Sequence, residues 1–288
     1  MPEFASPLRY PGGKGRLSGF LSEVIRLNGL ADGIYAEPYA GGAGAALQLL
    51  FGERVSRILI NDIDRCVFAF WKAVLTRHDR FLELLAETPV TIEEWHRQRE
   101  AYLNPARHST VDLGFATFFL NRCNRSGILP TGGPIGGFDQ AGKWKLDARF
   151  NRKELRRRIE RIISYRERIE VFNQDAVVFL KRVVGPRSRK RPLLVYLDPP
   201  YYAKGQQLYL SAYEHEDHVE LAKFMGRNSP YNWVMTYDNV PEIRKIYAPF
   251  RRIPFSLCYT AYDRRIGQEL LIHNGELTIP RAWLGIVA

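Results

Sequence analysis

Leu193-Leu194-Val195-Tyr196-Leu197-Asp198-Pro199-Pro200-Tyr201 is the stretch that decides how this chain folds. Its first five residues are a short apolar run rich in Leu, Val and Tyr, the pattern of a strand buried on both faces of a parallel sheet. Two consecutive prolines have no N–H to give a ladder, so the strand stops at Asp198. A carboxylate and an aromatic ring are left at its carboxyl end, where open α/β sheets collect their ligands. The plainer reading is a strand followed by a proline turn, so the chemical reading needs support from elsewhere in the chain.

Working outward, residues 169–172 read as another strand, followed by Asn173-Gln174-Asp175, a helix through Leu180, and a basic linker with Arg187, Arg189, Lys190 and Arg191. On the other side, 202–214 holds Lys204, Tyr209 and Tyr213 without clear periodicity, which suggests a loop on the substrate side. His218-Val219-Glu220 matches half of a zinc deaminase signature, but the Pro-Cys-x-x-Cys that must accompany it is missing, so that chemistry is rejected. Residues 232–237 read as a strand, and 253–260 with 268–273 as an antiparallel hairpin at the sheet edge.

The amino-terminal part repeats the strand and turn logic. Arg9-Tyr10-Pro11-Gly12-Gly13-Lys14-Gly15 is a glycine-rich loop with a cation leading into a helix. It lacks the Walker pattern, because Leu8 and Gly15 stand where Gly and Ser or Thr are needed. Residues 33–40 read as a strand that ends in Glu37-Pro38-Tyr39-Ala40-Gly41-Gly42-Ala43-Gly44, before a helix over 45–51. Strand, glycine-rich turn and helix is the order that binds nucleotide-like cofactors. Leu47 replaces the third glycine of the dinucleotide fingerprint, which disfavours dehydrogenase cofactors. A second strand, 57–60, places Asp62 about 20 residues beyond the turn, suited to ribose hydroxyls; a helix cap explains Asp62 equally well.

From residue 72 to 168 the character changes to helical spacing, with a capping box at Thr91-Ile92-Glu93-Glu94. An apolar run, 113–120, precedes Asn121-Arg122-Cys123-Asn124-Arg125-Ser126-Gly127, and the glycine-rich 131–137 reads as an exposed loop. Arginines crowd 149–168. They form either a solvated helix face or phosphate contacts. The expected organisation is therefore a sheet domain, 1–71 with 169–288, carrying a helical insertion at 72–168.

Composition narrows the partners. A net charge of +11 favours a polyanion such as nucleic acid. No leader-like amino terminus and no long uncharged apolar run is present, so a cytoplasmic protein is expected. Cys66, Cys123 and Cys258 are odd in number and far apart, as reduced thiols are, and no metal site is expected.

The loop at Tyr10 to Lys14, the turn at Glu37 to Gly44, Asp62 and the Asp198 to Tyr201 tetrapeptide occur in an order that resembles the Dam-like family of DNA adenine-N6 methyltransferases. That resemblance implies an α/β fold, a Rossmann-like methyltransferase sheet with a terminal antiparallel hairpin. It implies S-adenosylmethionine as cofactor, with Tyr10, Lys14, Asp62 and Asp198 in its pocket. Glu37, Gly41, Gly42 and Gly44 would lie against its methionine portion, Asp62 on the ribose and Asp175 near the adenine. Asp198 and the Pro199 carbonyl would accept the target amine, with Tyr201 stacking on the flipped base. Nucleic-acid contacts are expected from Asn121, Arg122, Arg125 and Lys204, on double-stranded DNA, in a nucleoid-associated protein that serves alone or beside a restriction or defence partner. Residues 126–128 and the 132–137 loop depart from the hairpin of GATC-specific members, which leaves the recognised sequence open. Cytosine-N4 or RNA amino methylation uses similar geometry, though Ser at position 198 would suit cytosine better; protein glutamine methylation would call for Asn there. A catalytically silent DNA-binding protein is the reading from another class. Cytosine-C5 methylation is excluded, because no cysteine follows a proline.

Overall fold

The computed structural model describes residues 5–9, 17–203, 213–227, 230–259 and 265–284. Tyr10, Lys14 and Lys204, three of the expected site residues, lie outside the described residues, as do Tyr209 and most of the 202–214 loop.

Seven strands build one sheet: β1 (Ile34–Glu37), β2 (Arg57–Asn61), β3 (Ile169–Phe172), β4 (Leu193–Leu197), β5 (Asn232–Asp238), β6 (Arg251–Tyr259) and β7 (Arg265–His273). Their order is β3-β2-β1-β4-β5-β7-β6. The first five in that order pair in parallel, whereas β7 runs antiparallel to both β5 and β6, so the expected terminal hairpin is present and longer than its sequence pattern indicated. Every residue of β1 and β4 is buried, as continuous apolar runs in a doubly covered sheet require.

Side chains alternate between two cores, the period-2 consequence of the pleat. Tyr35, Ile58, Ile60, Leu194 and Tyr196 face α1 (Ser18–Leu27), α2 (Gly44–Phe51) and α3 (Arg65–Thr76). Ala36, Leu59, Val195, Leu197 and Trp233 face the other way, onto Phe179, Val184, Leu221, Ile243 and Tyr247. The helix after β3 does not stop at Leu180. Helix α8 (Ala176–Phe179) continues through a π-helical turn, Leu180–Val184, into α9 (Gly185–Ser188). Part of the expected basic linker is therefore helical; Val183 and Val184 are buried on the sheet, which gives the segment a reason to stay wound.

Between β2 and β3 stand α3, α4 (His78–Glu87), α5 (Ile92–Leu103), α6 (Thr110–Cys123) and α7 (Arg152–Ser164). Thr91 accepts from the Glu94 amide at 3.2 Å, so the capping box reads correctly as the start of α5. The boundary expected at 71/72 falls inside α3. Phe70, Phe81, Phe118 and Leu155 belong to one apolar cluster with the sheet, so the helical segment shares the core. Gly114 lets α6 approach α3 closely, since a Cβ there would stand 2.5 Å from the Ala69 carbonyl oxygen. With Gly114 against Ala69 and Thr117 against Cys66, the two helices run antiparallel. The end of α6, and the glycine-rich loop after it, are thereby returned to the carboxyl edge of the sheet. Cys66 and Cys123 are buried free thiols. Among the described residues no helix is long and apolar enough to cross a membrane.

Candidate active site

Each of four adjacent parallel strands delivers a carboxylate to the same edge. Glu37 ends β1, and Asp62, Asp175 and Asp198 follow β2, β3 and β4. The crevice between β1 and β4 is where the strand order reverses, the position at which doubly wound sheets bind ligands.

The glycine-rich turn after β1 is fastened on several sides. Asn61 accepts from the Ala40 amide at 2.9 Å through its backbone oxygen, Asp62 Oδ2 accepts from the Gly41 amide at 2.9 Å, and Trp71 Nε1 donates to the Gly41 oxygen at 2.9 Å. Gly41 stands at φ 46°, a left-handed conformation that costs a glycine little. Gly42 is buried, and Gly44 opens α2. The other oxygen of Asp62 accepts from the Asp64 amide at 2.9 Å, while Asp64 caps α3 through the Cys66 amide at 2.7 Å. Asp62 is thus not the helix cap. It joins the end of β2 to the turn, and lost hydration pushes its carboxyl up to about 7. Glu37 is buried. Its Oε1 accepts from the Tyr35 hydroxyl at 2.9 Å and the Ala46 amide at 3.1 Å, yet burial outweighs both bonds and pushes it up to about 8.

The Asp198 to Ala203 segment is held from β5 and β7. Thr236 donates to Asp198 Oδ1 at 3.0 Å, and the Thr236 and Tyr196 hydroxyls share a bond of 2.7 Å. Pro199 is buried. The Tyr201 hydroxyl donates to Glu269 Oε1, and burial raises the Tyr201 phenol well above its ordinary value, so it stays a donor. The two oxygens of Asp238 accept from the amides of Tyr202 at 3.0 Å and Ala203 at 2.9 Å. Sequence reasoning missed Thr236, Asp238 and Glu269. The available signal was a polar residue at alternate positions of otherwise apolar strands.

Asp175 caps α8, accepting from the Val178 amide at 3.0 Å with one oxygen. Its neighbour Gln174 exchanges backbone bonds with the Asn61 carboxamide at 3.0 and 2.9 Å, and Gln174 Oε1 is buried with no hydrogen-bond partner among the described residues. An unsatisfied buried acceptor between two strand ends marks a place where a polar ligand would be stabilised.

The residues expected to touch nucleic acid divide. Asn121 is fully buried, and its carboxamide is spent on the Arg9 amide (2.6 Å), the Arg9 oxygen (2.8 Å) and the Gly127 oxygen (2.9 Å). It fixes the chain just before Tyr10 and offers nothing to an external phosphate. Arg122 donates to the Arg149 and Pro7 oxygens, and burial lowers its guanidinium to about 9. Arg125 is exposed. Most arginines of 149–168 also serve the protein itself: Arg152 holds the Leu85 and Thr88 oxygens, Arg158 pairs with Glu154, Arg161 lies 4.4 Å over the Phe51 ring, and Arg168 holds the Ser56 oxygen.

Comparison with known proteins gives one extended family match and remote structural likenesses, among them two to the same protein. The model of the D12 class N6 adenine-specific DNA methyltransferase family matches residues 10–260. No curated protein matches the chain. A solved structure of the rRNA methyltransferase aviRa from Streptomyces viridochromogenes is 13% identical, with a TM-score of 0.42, covering 95% of this chain and 87% of that one. A second aviRa structure is 14% identical, with a TM-score of 0.42, covering 92% and 86%. The family match runs from the segment that Asn121 anchors, through all four strand-end carboxylates, into the terminal hairpin, and on that extent the chain belongs to the D12 class N6 adenine-specific DNA methyltransferase family.

Proposed function

We propose that S-adenosylmethionine is the methyl donor, that the substrate is an adenine turned out of double-stranded DNA, and that Asp198 with the Pro199 carbonyl receives its amino group. The observation that carries this reading is the convergence of Glu37, Asp62, Asp175 and Asp198 on one edge, beside a pinned glycine turn. The donor set suits the cofactor. A buried carboxylate with a raised affinity for protons, Glu37, suits a ligand ammonium; Asp62 and the unsatisfied Gln174 Oε1 suit hydroxyl and amino donors. When bound, S-adenosylmethionine supplies an electrophilic methyl group.

The chain's own part is positioning. An exocyclic amine on adenine is a weak nucleophile because its lone pair is delocalised into the ring. Acceptors at Asp198 and at the Pro199 carbonyl favour a pyramidal nitrogen whose lone pair is available. Thr236 keeps Asp198 Oδ1 in place, so the acceptor needs little reorganisation as charge develops. Turning the base out costs a few kcal/mol, and stacking on the Tyr201 ring offsets about 1–3 kcal/mol of it.

Residues 78–150 form the part we assign to target recognition, because antiparallel packing of α3 and α6 carries the loop after α6 to the same edge. That loop presents Phe138 and Trp144, 60% and 66% exposed, with Arg125 and Lys143 also exposed. Exposed rings among cations suit bases and phosphates. A DNA substrate also places the protein with the nucleoid. The test is Asp198→Ala, which is expected to lower methyl transfer about 100-fold or more while DNA binding persists. Transfer at the wild-type rate would overturn the assignment.

A further inference from the structure

Stacking uses the face of an aromatic ring and has no need of a phenolic hydroxyl, so the hydroxyl of Tyr201 requires its own account. It donates to Oε1 of Glu269, a side chain only 1% exposed inside β7. The sheet explains how a glutamate from the far end of the chain arrives there. Because β7 is antiparallel to β5, its leading half lies at the carboxyl edge, and Glu269 stands directly opposite Asp238, the last residue of β5. Alternation along β5 and β7 puts Thr236, Asp238 and Glu269 on one face, the face that carries Val234 and Leu271 into the first core. Each of the three binds a different part of one segment: Thr236 the Asp198 carboxylate, Glu269 the Tyr201 hydroxyl, Asp238 the amides of Tyr202 and Ala203. Two acidic side chains directly opposite on adjacent strands repel one another. Here each faces donors that belong to the Asp198 to Ala203 segment, and these bonds oppose the repulsion.

We propose that Glu269 is a positioning residue for methyl transfer: by holding the Tyr201 hydroxyl it fixes the plane of the ring on which the target adenine rests. This rests on the assignment of Asp198 and Tyr201 to the target base. A ring anchored at its hydroxyl meets the incoming base in one orientation, and a ring hinged only at Cβ meets it in several. The anchor therefore acts on the rate of transfer from bound DNA more than on DNA affinity.

The test compares Tyr201→Phe, Glu269→Ala, Glu269→Gln and the double variant Tyr201→Phe/Glu269→Ala, with Asp198→Ala in the same assay. Steady-state kinetics are measured on duplex DNA with labelled S-adenosylmethionine. Tyr201→Phe and Glu269→Ala are each expected to lower kcat about 100-fold, the scale of a small misplacement of reacting groups, and to leave KM for DNA within about threefold. The double variant should be no slower than either single, because both remove the same bond. Glu269→Gln, whose amide oxygen still accepts, should recover most of the loss. Wild-type kcat in Tyr201→Phe, or losses that multiply in the double variant, would overturn the proposal. Should Glu269→Ala fail to fold, Tyr201→Phe, which deletes a single oxygen, carries the test alone. If Asp198→Ala is inactive while Tyr201→Phe is unaffected, only the role of Glu269 fails; if Asp198→Ala stays active, the assignment of the target site fails with it.

Discussion

Glu37 shows how one residue can be tuned by its surroundings. Burial raises it from an ordinary 4.5 to about 8, although Tyr35 and the Ala46 amide both favour the charged form. The unfolded chain releases this proton near 4.5, and the folded protein holds it to about 8. Within that window the folded state binds more protons, so stability falls as pH rises through it; the contribution is complete below the window and absent above it. Glu37→Gln, whose amide oxygen can still accept from Tyr35 and Ala46, is expected to flatten this fall and to raise the melting temperature at pH 8. Thermal unfolding of both proteins from pH 5 to 8 checks it, and parallel curves would refute it. A cationic ligand beside Glu37 pulls its affinity for protons back down, so binding of S-adenosylmethionine at pH 7 should release protons, seen by calorimetry in buffers of different ionisation heat. The position of Glu37 was legible in sequence because it ends an apolar run before a glycine turn. Its protonation was not, since that depends on packing from both faces of the sheet.

At the level of elements, the helical segment owes its placement to a few contacts that span the chain. Asn121 closes on Arg9, 112 residues away, and on Gly127. Asn121→Ala leaves three backbone groups without their partner, and at about 1 kcal/mol for each hydrogen bond it should lower stability by about 3 kcal/mol in denaturant unfolding. Gly114→Ala should cost about 1–3 kcal/mol, because the added methyl meets the Ala69 carbonyl oxygen and α6 must withdraw from α3. Wild-type stability in either variant would contradict the packing described. Local signals foretold individual elements well: the edge hairpin of β6 and β7, the capping box of α5, and the proline stop after β4. The use of Asn121 was misread, because a polar residue at a helix end looks the same whether it faces a ligand or a distant loop. Glu269 was invisible for a related reason, since its partner Tyr201 lies 68 residues away and only the sheet order joins them.

For the molecule as a whole, the net charge of +11 overstates the cations available to DNA. On α7, Arg156 pairs with Glu160 at 2.8 Å and Arg157 with Glu154 at 3.1 Å, so part of a run that reads as a phosphate-binding face is already paired within the helix. Replacing Arg156 and Arg157 with Gln is expected to change DNA affinity less than about threefold. Replacing Arg125 and Lys143 with Gln should weaken binding and reduce the salt dependence by about one unit of slope for each phosphate that is no longer neutralised. Titrations at several salt concentrations separate the two surfaces, and equal effects would mean that α7 meets the DNA. The central claim, adenine-N6 methylation of DNA at the edge where four strands deliver their carboxylates, is tested most directly by incubating the protein with labelled S-adenosylmethionine and duplex DNA and identifying the product nucleoside by mass spectrometry. Label is expected in N6-methyladenine; label in a methylated cytosine, or none in DNA, would contradict adenine methylation at this edge.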